Sequence, residues 1–179
     1  GQGFYEIFTN SIANSAWYSE EVLATTVKML NNLSAELNVM RPSMLETGLQ
    51  CISFNLNRRN NNLRLFEFGK TYTTSEVGKY FETDHLAIYT SGNTEASWKQ
   101  KASATDIYFL KAVVNGILQQ AGLNAQTELF SAERDFSSGI QYKVNKQIVA
   151  KIGIVDANQL KQFDIKQPVY FADINWNVL

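Results

Sequence analysis

The chain has 179 residues, of which 45% are hydrophobic, enough for one compact core and short for two. Sixteen Lys and Arg against seventeen Asp and Glu give a formal net charge of -1, which argues against a general nucleic-acid or membrane-surface binder. A single cysteine, Cys51, excludes an internal disulfide and fits a reduced, cytoplasmic setting. No apolar run approaches a membrane span, the first residues lack signal-peptide character, and the chain opens on Gly-Gln-Gly without methionine, as expected for a segment of something longer.

In chain order, Phe4 to Ile12 is predicted as a strand, bounded by Gly3 and by Asn14-Ser15. Val22, Leu23, Val27 and Leu30 suggest a short helix within Ser19 to Leu30. From Ser43, the residues Met44, Leu45, Leu49, Ile52 and Leu56 fall at spacings of mostly three and four, which predicts a helix ended by Asn57 and Asn60 to Asn62. Leu63 to Tyr72 then predicts a central strand buried on both faces, with Glu67 set among Leu65, Phe66 and Phe68. A carboxylate there needs a hydrogen-bonding partner; packing is favoured over a ligand contact, because buried polar groups are normally paired.

The polar stretch Thr73 to Glu82, with Gly78, is predicted as a loop to a second, antiparallel strand over His85 to Thr90. Ser91 to Ala104 predicts an exposed connection anchored by Trp98. A helix follows, capped by Ser103 or Thr105, striped by Leu110, Val113, Val114, Ile117, Leu118 and Ala121, and stopped by Gly122. Tyr142 to Val155 predicts a hairpin turning at Asn145-Lys146. Asp156 to Gln159 has the spacing of a capping box for a short helix through Phe163, and Pro168 precedes a last strand with Tyr170, Ala172, Ile174, Trp176 and Val178 on one face. Strands, hairpins and helices mixed in this order predict an α+β fold: an antiparallel sheet with flanking helices, here as one domain over 1–179.

Chemistry-bearing patterns are sparse. The glycines make no phosphate loop, and one histidine with one cysteine cannot build a closed zinc site. No motif pairs His85 with a nucleophile or an orienting carboxylate, and Glu82 and Asp84 suit a solvated loop end. Four of the five arginines, Arg41, Arg58, Arg59 and Arg64, fall in one stretch, so that a local basic patch competes with the simpler reading of solvated helix ends.

Within that stretch, Asn31-Asn32-Leu33-Ser34-Ala35-Glu36-Leu37-Asn38-Val39-Met40-Arg41-Pro42-Ser43 resembles the Asn-Pro-Leu-Ser-x-Glu-Leu-x-x-Met-Arg-x-Ser pattern of the bacterial phenylalanyl-tRNA synthetase beta subunit. Asn55-Leu56-Asn57-Arg58 and Leu63-Arg64-Leu65-Phe66-Glu67-Phe68-Gly69-Lys70 are similar to its Asn-Leu-Asn-Arg and Leu-Arg-Leu-Phe-Glu-Ile-Gly-Arg, as Gly3-Phe4-Tyr5-Glu6, Phe163-Asp164-Ile165 and Val169-Tyr170 are to its end segments. The resemblance covers nearly the whole chain but one module of a longer subunit. Departures are Asn32 for proline, Met44-Leu45-Glu46-Thr47-Gly48-Leu49 for Leu-Leu-Pro-Gly-Leu-Leu, and Phe136-Ser137-Ser138-Gly139 where many members have His-Pro-Gly.

The resemblance implies a class II synthetase-like fold without catalytic or cofactor-binding residues of its own. In the catalytic alpha subunit the second signature strand reads Gly-Arg-Val-Tyr-Arg; Gly69-Lys70-Thr71-Tyr72-Thr73 stands there, with Thr73 in place of the phosphate-binding arginine. The late Gly-x-Gly-x-Glu-Arg segment is replaced by Ala172-Asp173-Ile174-Asn175-Trp176. The implied role is a scaffold packed on the alpha subunit, in a heterotetramer of two alpha and two beta subunits that charges tRNA with ATP and Mg²⁺. Arg41, Arg58, Arg59, Arg64 and Glu67 are the candidate contacts to that subunit or to tRNA. A stand-alone protein- or RNA-binding module with the same fold is the alternative.

Overall fold

A computed structural model of the chain describes residues 2–31, 34–94 and 101–179. In order it contains β1 (Tyr5–Glu6), β2 (Ile12–Ala13), α1 (Glu20–Leu23), β3 (Val39–Met40), α2 (Leu45–Leu56), β4 (Leu63–Glu76), β5 (Lys79–Ser91), α3 (Ile107–Gln120), β6 (Gln126–Phe130), β7 (Phe136–Val144), β8 (Gln147–Val155), α4 (Ala157–Gln162) and β9 (Val169–Asn175). Seven strands form one sheet in the order β1-β4-β5-β9-β8-β7-β6, antiparallel except for β1 against β4, and β2 pairs with β3 separately. The predicted α+β architecture is thus observed.

The sheet carries one helix layer on each face. Strand alternation sends Leu63, Leu65, Ala87, Tyr89, Val169 and Phe171 to one face, where Met44, Leu45, Leu49 and Ile52 of α2 and its entry cover them. The other residues, Leu86, Ile88, Ala172 and Ile174, meet Leu110, Val113, Val114 and Leu118 of α3. The approach of α2 is close enough that a Cβ on Gly48 would lie 2.2 Å from the Tyr89 ring, and the Tyr89 hydroxyl donates to the Met44 carbonyl at 2.5 Å. Gly48→Ala is therefore expected to lower stability by about 1–3 kcal/mol, read as a drop in urea midpoint at unchanged slope.

Several expectations are corrected. Phe4 to Ile12 is not one strand: Thr9 turns to the Glu67 carboxylate and Asn10 accepts from the Ile12 amide, which ends β1 and redirects the chain to the small sheet. Helix within Ser19 to Leu30 is limited to the four residues of α1; Thr26 and Lys28 make isolated bridges to Thr73 and Val39 instead. Thr73 to Glu82 is no loop: β4 and β5 run on as a hairpin through a two-residue turn at Val77-Gly78, with φ +91° at Gly78. Its outer part has both faces in solvent, with Tyr80 and Phe81 exposed, so that β-branched and aromatic residues pair without the burial pattern that marks a strand in sequence. β4 is second from the sheet edge; the centre is β9, the last strand, because the late hairpin β7–β8 adds on its far side.

The cap of α3 is Asp106, accepting from the Phe109 amide, not Ser103 or Thr105; Gly122 follows the helix at φ +74° as predicted. Asn145 and Lys146 both have positive φ, which a two-residue turn of this hand requires. Asp156 caps α4 through the Asn158 amide, and its own amide goes to Asp135 rather than to Gln159, so that half of the capping box forms. Trp176 and Val178 leave β9 for a 3-10 turn, and β6 is a strand that periodicity did not reveal. Asn32, Leu33 and Trp98 lie outside the described residues. Among the described residues no helix is long and apolar enough to cross a membrane.

Candidate functional site: a cleft on the α2 face

Where α2 leaves the sheet uncovered, the same face opens into a cleft of about 730 Å³. Thr71 and Thr73 of β4, His85 of β5, Phe171 and Asp173 of β9, and Lys151 of β8 form its floor. Register explains the gathering: Asp173 pairs with Ala87 on one side and with Lys151 on the other, and His85 pairs with Gly69 on β4, two residues before Thr71. Segments around Glu21, Thr25, Ser43 and Glu133 to Phe136 build the walls.

Across this floor runs a hydroxyl–imidazole–carboxylate chain. His85 Nδ1 lies 2.6 Å from Asp173 Oδ1, and Nε2 lies 2.9 Å from Thr71 Oγ1. An ionised carboxylate only accepts, so Nδ1 carries a proton; in the neutral ring Nε2 then accepts from Thr71. The reason for discounting His85 in sequence therefore fails, since both an orienting carboxylate and a hydroxyl stand against it. Local periodicity could not reveal partners 88 and 14 residues away.

The cationic groups of the cleft are taken. Arg134 Nη2 contacts Glu46 Oε1 at 2.9 Å and its Nε contacts Asp135 Oδ1 at 2.6 Å, while Lys151 Nζ contacts Glu133 Oε2 at 2.6 Å. Glu21 and Asp173 add two more carboxylates to the lining. A nucleoside triphosphate would meet more carboxylates than cations here, and Thr73, at the position where the resemblance sets a phosphate-binding arginine, lines the cleft with a neutral hydroxyl. The residues present do not fit ATP. No group of three or more His, Cys, Asp or Glu suited to a metal ion occurs among the described residues.

Glu46 itself is fully buried in the first turn of α2, with Oε2 lacking a partner among the described residues. Burial pushes its carboxyl up to about 7; Arg134 opposes the shift and Asp135 adds to it. The Tyr18 hydroxyl, also buried and without a partner among the described residues, is pushed up by burial and then by Glu46.

The four clustered arginines are separated in space. Arg41 is 2% exposed and pairs with Glu67, itself 1% exposed, at 3.1 Å; its Nε also donates to the Lys70 carbonyl and Nη1 to Thr9 Oγ1, both at 2.8 Å. Thr9 Oγ1 completes the set on Glu67 Oε2 at 2.8 Å. This supplies the partner expected for Glu67. Arg58 lies over the Phe54 ring at the end of α2, Arg59 follows at φ +65°, and Arg64 lies over Phe109 on the opposite face of the sheet. Glu82 and Asp84, outside the cleft, flank Lys70 in solvent as expected.

Comparison with known proteins agrees with the sequence pattern. The profile of the family described as "Phenylalanyl tRNA synthetase beta chain CLM domain" matches residues 1–176. Phenylalanine–tRNA ligase beta subunits of Bacteroides thetaiotaomicron and Porphyromonas gingivalis are 36% and 34% identical over the whole chain. The chain spans 24% of the length of each. A pyrrolysyl-tRNA synthetase of Desulfitobacterium hafniense superposes with a TM-score of 0.72 at 16% identity, over 97% of this chain and 58% of that one, which establishes a class II synthetase catalytic-like fold.

Proposed function

Because the chain belongs to the phenylalanyl-tRNA synthetase beta chain family, as its CLM domain, we propose that it serves as the non-catalytic, class II-like scaffold of a cytoplasmic phenylalanine–tRNA ligase. In this reading it packs against the catalytic alpha subunit, within an assembly of two alpha and two beta subunits that charges tRNA with phenylalanine, and ATP and Mg²⁺ act on the alpha subunit. One observation carries the non-catalytic part. The cleft on the class II-like face holds Arg134 and Lys151 as its cations, both engaged by carboxylates, with Thr73 where a phosphate-binding arginine would stand. Adenylate formation develops phosphate charge that such a cleft does not offset.

Two measurements test the proposal. The purified chain is expected to give no phenylalanine-dependent exchange of pyrophosphate into ATP, and exchange clearly above background would overturn the non-catalytic assignment. Co-expressed with the catalytic alpha subunit, it is expected to be retained on that subunit through affinity purification; two folded proteins that do not co-purify would overturn the scaffold role.

A further inference from the structure

Between the second half of α3 and the edge strand β6 lies a concavity of about 300 Å³, the size of the smaller ligand sites. Three of its lining residues, Lys111, Asn115 and Gln119, follow one another at intervals of four and so share one face of the helix. Thr127 and Tyr142 line it from the sheet, where they stand directly opposite each other on β6 and β7. Leu118 and Leu123 give it an apolar side.

Charge sets this pocket apart from the cleft on the α2 face. Its lining holds no carboxylate, α3 has none in its fourteen residues, and strand alternation sends Glu128 of β6 to the opposite face, where Gln141 and Lys143 engage it. Lys111 accordingly forms no ion pair among the described residues. The carbonyls that close α3 would oppose an anion, but they are covered: the Gly122 amide donates to Gln119 at 3.0 Å and the Leu123 amide to Leu118 at 2.9 Å. Tyr142 is a second, independent observation. It is 1% exposed, and its hydroxyl has no hydrogen-bond partner among the described residues, whereas buried phenols ordinarily find one. Burial pushes the phenol up to about 12, so at neutral pH it keeps the proton with which it donates.

We propose that this pocket binds a small aliphatic carboxylate, with Lys111 and the Tyr142 hydroxyl on its oxygens and its hydrocarbon part along Leu118 and Leu123. A cation, amide groups and an unused O–H beside an apolar side, with no carboxylate among them, are the complement of such an anion. One lysine matches one negative charge. A phosphate dianion would keep a charge uncompensated, and an α-amino acid would bring an ammonium group for which the wall has no carboxylate. The site goes beyond the scaffold reading, since it lies on the α3 face, away from the cleft, and bracing a partner subunit requires no small ligand.

The test is a titration of the nitrogen-15-labelled full chain with hexanoate at fixed ionic strength, followed by two-dimensional NMR, with hexanamide, inorganic phosphate and phenylalanine titrated in parallel. Hexanoate is expected to cause saturable shifts at the amides of Asn115, Gln119 and Thr127. Lys111→Met is expected to weaken its binding about 10-fold or more, and hexanamide, which has the same shape without the charge, is expected to bind more weakly by a similar factor. Tyr142→Phe separates binding from folding. Loss of a hydroxyl that has no partner is expected to leave the melting temperature of the ligand-free chain unchanged or higher, yet to weaken hexanoate about 3- to 10-fold. Shifts that fail to saturate or fall outside the pocket, equal binding of hexanamide, tighter binding of phosphate or phenylalanine, or full affinity in both variants would overturn the proposal. None of these outcomes bears on pyrophosphate exchange or on retention by the alpha subunit, so the two proposals fail separately.

Discussion

Arg41→Ala is expected to destabilise the chain by about 3–5 kcal/mol, a large share of the 5–15 kcal/mol that holds a domain folded. The guanidinium sits under the entry to α2 with four hydrogen-bonding partners: Glu67, Thr9, the Lys70 carbonyl and, at 3.5 Å, Thr47. Gly69 makes the space, since a Cβ there would lie 2.2 Å from Arg41 Nη2. Removing the arginine leaves Glu67 charged and 1% exposed, with Thr9 as its remaining partner. That uncompensated charge, more than the lost contact, sets the size of the effect. The urea midpoint at pH 7 reads it, and a loss below about 1 kcal/mol would show the pair to be energetically idle. Replacing both partners by apolar residues, as in Arg41→Met with Glu67→Leu, is expected to be far milder than either single change, because no buried charge remains.

Glu46→Gln is expected to flatten the acid side of the stability profile. The folded-state carboxyl titrates near 7 against 4.5 for the ordinary group, so the folded chain holds a proton that the unfolded chain releases between those values. Stability is accordingly highest below about pH 4.5 as far as this group is concerned, falls as pH rises through about 7, and is level above. A shift of this size corresponds to about 3 kcal/mol. The amide carries no such penalty, and Arg134 keeps Asp135 at 2.6 Å, so the variant is expected to exceed the parent in stability at pH 8 and to match it more closely at pH 5. Urea midpoints from pH 5 to 8 decide the matter. A variant less stable than its parent at pH 8 would show that the Arg134 contact outweighs burial.

Both effects belong to carboxylates buried on the α2 face, yet they were unequally legible in the sequence. Glu67 interrupts an apolar run, and that alone demands a partner; the partner's identity is not local, since Arg41 lies 26 residues away across the entry to α2. Glu46 lies on a helix that periodicity identifies, but its burial depends on Arg134, 88 residues later, in a segment without regular structure. The same holds for His85, whose meaning changes only when β9 brings Asp173 to its side. The polar hairpin arm escaped notice for the converse reason: its strands are stabilised by each other, and solvent on both faces leaves no apolar rhythm to read.

Short-range physics is written in this chain and could be read from it. Apolar spacing located α2 and α3 and Asn145-Lys146 marked the late turn, while a synthetase-like module without the catalytic arginines was implied by the family resemblance of the Met-Arg-Pro stretch and not by spacing or composition. Tertiary structure alone decided which residues became a site. Strand order placed β9 at the centre, and register then set Thr71, His85, Asp173 and Lys151 across one floor, while the four arginines of one sequence stretch went to an interior ion pair, a helix end and the far face. The physical reason is that hydrogen bonding between strands joins residues by register rather than by sequence distance, and burial then decides which charges must find a partner within the fold.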